Sequence, residues 1–170
     1  MQQPEIIEHA MREYTDLLFR IAYYYVKDMS LAEDVVQDVF IKFYCSNYEE
    51  RGELKAYLSR LTANTCKDHL KSWAYKKVQI QQTFSKQAAK REPDKLVRSE
   101  ELSALDTAIL ALPLKKREVV VYYYLENISI REIAEIIGRP ESTVKSRLKS
   151  AREFLKQELA YEEWEVLYDE

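Results

Sequence analysis

The sequence predicts an all-α protein of two small helical domains joined by a linker, with a helix-turn-helix in the C-terminal one. Three observations predict it. The 170 residues include only 2 Gly and 4 Pro, too few turn formers for a sheet-rich fold of this length. Apolar residues recur at spacings of three, four and seven, the period of an amphipathic helix. A middle stretch rich in Lys, Gln and Ser loses that period and separates two regular halves. The composition, 46% hydrophobic, is that of a globular chain and not a disordered one. No run of about 18 apolar residues occurs, so no membrane insertion is expected. Met1-Gln2-Gln3-Pro4-Glu5 lacks the basic-then-apolar order of a secretory signal. Cys45 and Cys66 are too few for a disulfide framework, which points to a reducing cytoplasm.

The elements follow in order. Ile6, Met11, Tyr14, Leu17, Leu18, Ile21 and Tyr25 form one stripe, which predicts a helix over 5–27. Ser30 with Glu33 has the spacing of a capping box. It predicts a second helix from Leu31 to Tyr44, with Leu31, Val35, Val39 and Phe43 on one face. Asn47 to Glu53 is polar and reads as a loop. Leu54, Tyr57, Leu58, Leu61, Leu70 and Trp73 predict a third helix to about Lys76. These elements make up a first domain, 1–76. Residues 77–99, with Pro93, read as the linker. A second domain, 100–160, opens with an amphipathic segment from Glu100 that stops before Pro113. A helix follows from Lys115 to Glu126, then two segments around Gly138, the second running to about Leu159. Residues 161–170 form an acidic tail with Trp164, Leu167 and Tyr168. It is read as folding back on basic surfaces, binding a partner or fraying.

The net charge of −3 hides strong segregation. Residues 1–50 carry 4 basic and 10 acidic side chains, and residues 51–100 carry 12 and 5. Residues 101–150 are nearly balanced and the last twenty are acidic. Only the middle of the chain is basic enough to meet phosphates through its overall charge.

The segment from Ile128 to Leu148 fits a helix-turn-helix. Ser129 and Glu132 are placed to cap its first helix, and Ala134 is small where two helices cross. Gly138 supplies the positive φ of the tight turn. Val144 and Leu148 anchor the second helix on the core, leaving Ser142, Thr143, Lys145, Ser146, Arg147 and Lys149 on its other faces. Residues 139–152, starting with Arg139, carry five basic side chains and one acid. Such a helix suits a DNA major groove. On the third helix, Arg60, Asn64, Lys67 and Lys71 share one face that Lys76 and Lys77 extend, with Trp73 nearby. That pattern predicts a single-strand surface. The triplets Tyr23-Tyr24-Tyr25 and Tyr122-Tyr123-Tyr124 cannot each face one way, so they are expected to divide between core and rim. Two histidines without Cys–His spacing predict no zinc site, and no cofactor is expected.

Four blocks resemble bacterial RNA polymerase sigma factors of the sigma-70 family, extracytoplasmic-function group. Ala32-Glu33-Asp34-Val35-Val36-Gln37-Asp38-Val39-Phe40 resembles the helix with which those factors dock on the polymerase clamp. Residues 57–70, Tyr57-Leu58-Ser59-Arg60 through His69-Leu70, resemble their minus-ten helix. Leu110-Ala111-Leu112-Pro113 through Val120 resembles the run before their helix-turn-helix, and Thr143-Val144-Lys145-Ser146-Arg147-Leu148 resembles their recognition helix. Two positions depart from the pattern: Pro140 stands where Ser or Thr usually caps the recognition helix, and Tyr57 replaces a Trp.

The resemblance implies a non-enzymatic subunit that binds core RNA polymerase and promoter DNA, both duplex and melted, and that an anti-sigma factor could restrain. It assigns polymerase contacts to Asp34, Gln37 and Asp38. It places at Asn47–Glu53 a pocket for a flipped base, where Tyr48 would stack and Asn47 would hydrogen-bond. The minus-thirty-five element falls to the helix-turn-helix. The alternative is a stand-alone helix-turn-helix regulator with an N-terminal sensing domain, which would have no use for a docking helix. A nucleic-acid-processing enzyme would need a carboxylate or histidine cluster, and the acids here fall in helix-surface pairs.

Overall fold

A computed structural model describes residues 1–49, 52–83 and 103–159. The predicted acidic tail, most of the linker and residues 50–51 of the loop lie outside them. All regular elements among the described residues are helical.

Helix α1 (Pro4–Val26) opens on a proline, whose fixed φ suits a first turn and whose missing N–H is no loss there. It ends at Lys27, which adopts the left-handed conformation (φ 59°) and donates its N–H to the Tyr23 carbonyl at 2.7 Å. Helix α2 (Met29–Cys45) starts two residues before the predicted position. Its cap is Asp28 and not Ser30: the Asp28 carboxylate accepts from the Leu31 N–H at 2.7 Å. The turn at Lys27 leaves Asp28 extended, as a capping residue must be, whereas Ser30 already lies inside the helix. Helix α3 (Leu54–Thr83) continues past Lys76 into the segment read as linker, because Lys and Gln are good helix formers even without an apolar stripe. The three helices enclose a core of Leu18, Ile21, Val35, Val39, Phe43 and Leu58, each fully buried.

The second domain packs α4 (Ala104–Ala111), α5 (Leu114–Val120), α6 (Ile130–Ile137) and α7 (Glu141–Glu158). Helix α4 opens on a reciprocal Ser103–Asp106 capping box. The predicted helix over 115–126 is α-helical only to Val120, and Val121–Leu125 form a π-helical turn. The extra residue in that turn rotates the chain so that Val121 and Tyr122 are buried while Tyr123 and Tyr124 sit at the rim. Ser129 and Glu132 cap α6 reciprocally, as their spacing predicts. Gly138 closes α6 at φ +66°. A Cβ there would meet no atom within 4 Å, so a substitution acts through backbone strain alone. Gly138→Ala is expected to cost about 1–2 kcal/mol, read as a lower urea midpoint with unchanged slope.

The two domains touch: α1 packs on α5 and the π turn, and α3 packs on α6. No helix among the described residues is long and apolar enough to cross a membrane.

Candidate nucleic-acid interface

Helix α7 carries the predicted recognition residues. Val144, Leu148, Ala151 and Leu155 recur at helical spacing and are fully buried, which fixes the rotation of the helix. Ser142, Lys145, Ser146 and Lys149 are therefore exposed, and Arg139 joins them from the turn. Pro140 sits at the N-cap and offers no side-chain cap, so the helix begins at Glu141 with its first N–H groups open. Thr143 is half-buried. Arg147 is held inward: its Nη1 donates to Glu118 Oε1 at 3.4 Å, and its side chain is 17% exposed.

Helix α3 carries the second predicted surface. Arg60, Asn64, Lys71, Lys76 and Lys77 are exposed along it, and Trp73 is 58% exposed. Lys76 and Lys77 follow Trp73 at i+3 and i+4 spacing along the same helix. Lys67, in the middle of the stripe, is the exception: its ammonium lies 3.2 Å from Glu118 Oε2.

The loop after α2 is better built than its polar sequence implies. Gln2 is buried, and its side-chain amide donates to the carbonyls of Ser46 (3.0 Å) and Tyr48 (3.1 Å). Its backbone N–H reaches Tyr44 at 2.8 Å. The Tyr48 ring packs on Tyr57 with centroids 4.6 Å apart and meets Phe43 edge-on at 5.7 Å. The Tyr48 hydroxyl donates to the Gly52 carbonyl at 2.9 Å. Asn47 is exposed. Tyr48, Gly52, Ala56, Tyr57 and Arg60 wall a cavity of about 290 Å³, and Glu135 and Ile136 of α6 wall its other side. The sequence reading missed Gln2, whose partners lie more than forty residues away, and the wall contributed by α6.

Helix α2 turns Glu33, Asp34 and Gln37 to solvent. Asp38 is half-buried and pairs with His69 Nε2 at 2.9 Å. Ile41 (60% exposed) and Tyr44 (40% exposed) continue the same face at i+3 and i+4 spacing. Their signal was present in the sequence, since Ile41 falls off the Val35–Val39–Phe43 stripe.

The tyrosine triplets divide as their helical geometry requires. Tyr25 and Tyr122 are buried against each other with hydroxyls 3.3 Å apart, and burial raises the pKa of both well above the usual phenol value. They stay neutral donors at any physiological pH. Tyr24, half-buried, donates to Asp106 at 2.6 Å. Arg152 donates to the Tyr124 hydroxyl. Cys66 is buried, and burial pushes its thiol up to about 12.

Comparison with known proteins meets the same two halves. Residues 10–74 match the family described as Sigma-70 region 2, and residues 102–155 match Sigma-70, region 4. The chain is 30% identical over 158 residues to the ECF RNA polymerase sigma factor SigW of Bacillus subtilis, covering 86% of this chain and 84% of that protein. It is 33% identical over 132 residues to the ECF RNA polymerase sigma-E factor of Escherichia coli, covering 71% and 69%. Its fold is similar to that of the sigma factor RpoE in complex with the anti-sigma factor NepR from Bartonella quintana. That match has a TM-score of 0.68 and 22% identity, covering 89% of this chain and 94% of that one. CnrH in complex with the cytosolic domain of CnrY gives a TM-score of 0.64 at 20% identity, covering 92% and 88%.

Proposed function

We propose that this chain, which belongs to the extracytoplasmic-function group of the sigma-70 family, binds core RNA polymerase through α2 and brings it to promoters read by two separate surfaces. The observation that carries this reading is one chain presenting an exposed acidic face on α2 and exposed basic faces on α3 and α7. Asp34, Gln37 and Asp38 meet a basic surface of the polymerase. Ile41 and Tyr44 add apolar area beside them, and such a mix of aromatic and aliphatic side chains with charge is what interface centres use.

The α7 residues Arg139, Ser142, Thr143, Lys145, Ser146, Arg147 and Lys149 read a duplex upstream element. Cations fix the register on phosphates, while Ser, Thr and Arg reach base edges. The α3 stripe, Arg60, Asn64, Lys67, Lys71, Trp73, Lys76 and Lys77, follows the melted strand. A base flipped out of the stack enters the cavity beside Asn47 and Tyr48, where stacking worth about 1–3 kcal/mol offsets the unstacking cost. The chain contributes binding energy and geometry, and the polymerase contributes the chemistry. An anti-sigma factor, such as the one in complex with RpoE, would act by covering these faces. The site of action is the cytoplasm, where polymerase and DNA are.

Reconstitution tests this directly. Core polymerase mixed with the chain is expected to co-elute with it and to start transcripts at defined positions on a promoter-containing fragment library. Duplex binding by the chain alone, with neither co-elution nor initiation, would make it the stand-alone regulator instead.

A further inference from the structure

Glutamine carries a polar amide at the end of a flexible stem, so it is buried only where partners offset desolvation and ordering. Gln2 is 8% exposed. Its amide nitrogen donates to the carbonyls of Ser46 at 3.0 Å and Tyr48 at 3.1 Å, one for each of its two N–H groups. Its backbone N–H donates to the Tyr44 carbonyl at 2.8 Å. The segment that carries Gln2 is itself fixed. Pro4 disfavours helical backbone at Gln3, which is extended (φ −69°, ψ 145°). The Gln3 carbonyl accepts from the Ile6 and Ile7 N–H groups of α1. Gln2 therefore stands on α1 and grips the end of α2 and the loop beyond it.

The two carbonyls held by the amide belong to the residues on either side of Asn47. Asn47 is exposed, and Tyr48 walls the cavity with its ring on Tyr57 and its hydroxyl on Gly52. The Ser46 hydroxyl adds a local bond to the Phe43 carbonyl at 2.7 Å, which shapes the turn but does not tie it to α1.

We propose that Gln2 is a positioning residue for base selection, holding the 46–48 backbone so that Asn47 and Tyr48 meet a flipped base in one fixed geometry. The proposal rests on the assignment of that loop to a flipped base. A loop that orders itself around each ligand spends binding free energy on ordering and adapts to wrong bases as well as to the right one. A loop held in advance avoids that cost, and its fixed hydrogen-bonding groups reject a base that leaves them unpaired. With both amide N–H groups committed to the loop, Gln2 acts through Asn47 and Tyr48 and not on the base itself.

Gln2→Met keeps the length of the side chain and removes both donors, whereas Gln2→Glu keeps the shape and sets an acceptor against two carbonyls. In the free chain, amide hydrogen exchange over 46–49 is expected to speed about tenfold in both variants, with α2 and α3 unchanged. Each variant, assembled with core polymerase, then selects from a pool of single-stranded DNA with about ten randomised positions, within the span of a single-strand site. Sequencing reads the base preference at every position. The wild type is expected to prefer one base strongly at the position whose preference Asn47→Ala removes. That preference is expected to fall about tenfold in Gln2→Met, the change produced by losing one or two ordinary hydrogen bonds. Preferences elsewhere and co-elution are expected to stay at wild-type levels. Gln2→Met combined with Asn47→Ala is expected to lose no more than Asn47→Ala alone, since one residue acts through the other.

Unchanged exchange over 46–49 overturns the brace. Faster exchange with base preference intact, or with preference lost evenly at every position, overturns the positioning role, because a merely structural glutamine would give one of those results. A wild-type holoenzyme that selects no base overturns base reading by this loop, and the proposal with it. A chain that fails to co-elute with polymerase overturns the functional assignment instead, and the exchange comparison still decides whether Gln2 holds the loop.

Discussion

Asp34→Arg combined with Asp38→Arg is expected to abolish co-elution with core polymerase, with a loss of at least about a hundredfold in affinity. The size follows from the kind of change. Removing an exposed charge at the rim of an interface usually costs under about 1 kcal/mol. Reversing it places like charges together, which costs several kcal/mol at a docked surface, and a hundredfold is about 2.7 kcal/mol. Asp34 is exposed, so its reversal leaves the fold intact. Asp38 also accepts from or pairs with His69 at 2.9 Å, so Asp38→Arg forfeits that contact as well. Asp34→Arg alone, together with Asp38→Asn, separates the two contributions. The single reversal should weaken binding strongly, and the neutral variant should do so mildly. Helical content by circular dichroism should match the wild type throughout. Co-elution that survives the double reversal would move the docking surface away from α2.

Much of this was legible in the sequence because it depends on residues close together along the chain. The Ser129–Glu132 box, the positive φ at Gly138 and the Val144–Leu148 anchor are all local, and each appears where its spacing predicts. The exposed cations of α3 follow from the same periodicity. Where two local signals competed, the nearer backbone decided: Asp28 and Ser30 both suit a cap, and the left-handed Lys27 selected Asp28. The π turn had a faint signal in the seven consecutive apolar residues from Val119 to Leu125, which fit no single helical face.

What the sequence withheld was long-range. Nothing in the order of residues brings Arg20 to Glu126, or Tyr25 and Lys67 to Glu118. Spacing alone places Lys67 on the cationic face of α3 and Arg147 off the buried stripe of α7. Their partner, an acid from another element, became visible only when the domains were placed together. The same holds for Gln2, a polar residue at the chain start that proves to brace the loop beside the cavity.

Leu148→Ala is expected to remove duplex binding while sparing polymerase docking. Leu148 is 2% exposed and lies between Val144 and Ala151 on the buried stripe of α7. Truncating a buried leucine costs about 2–5 kcal/mol, the transfer loss plus the cavity left behind. A domain as small as the C-terminal one holds roughly 3–9 kcal/mol in total at the usual stability per residue. The substitution therefore takes most of that margin and leaves α7 partly unfolded at growth temperature. Urea unfolding should split into two transitions, the early one from the C-terminal domain and the later one from the α1–α3 core, which Leu148 does not touch. The acidic face of α2 belongs to that surviving core, so co-elution should persist while transcripts that need the upstream element disappear. Leu148→Met conserves volume, costs under about 1.5 kcal/mol and should retain both activities. Loss of polymerase binding in Leu148→Ala at a temperature where the α1–α3 transition is untouched would show that the C-terminal domain itself carries part of the docking energy, and the division of labour between the domains would have to be redrawn.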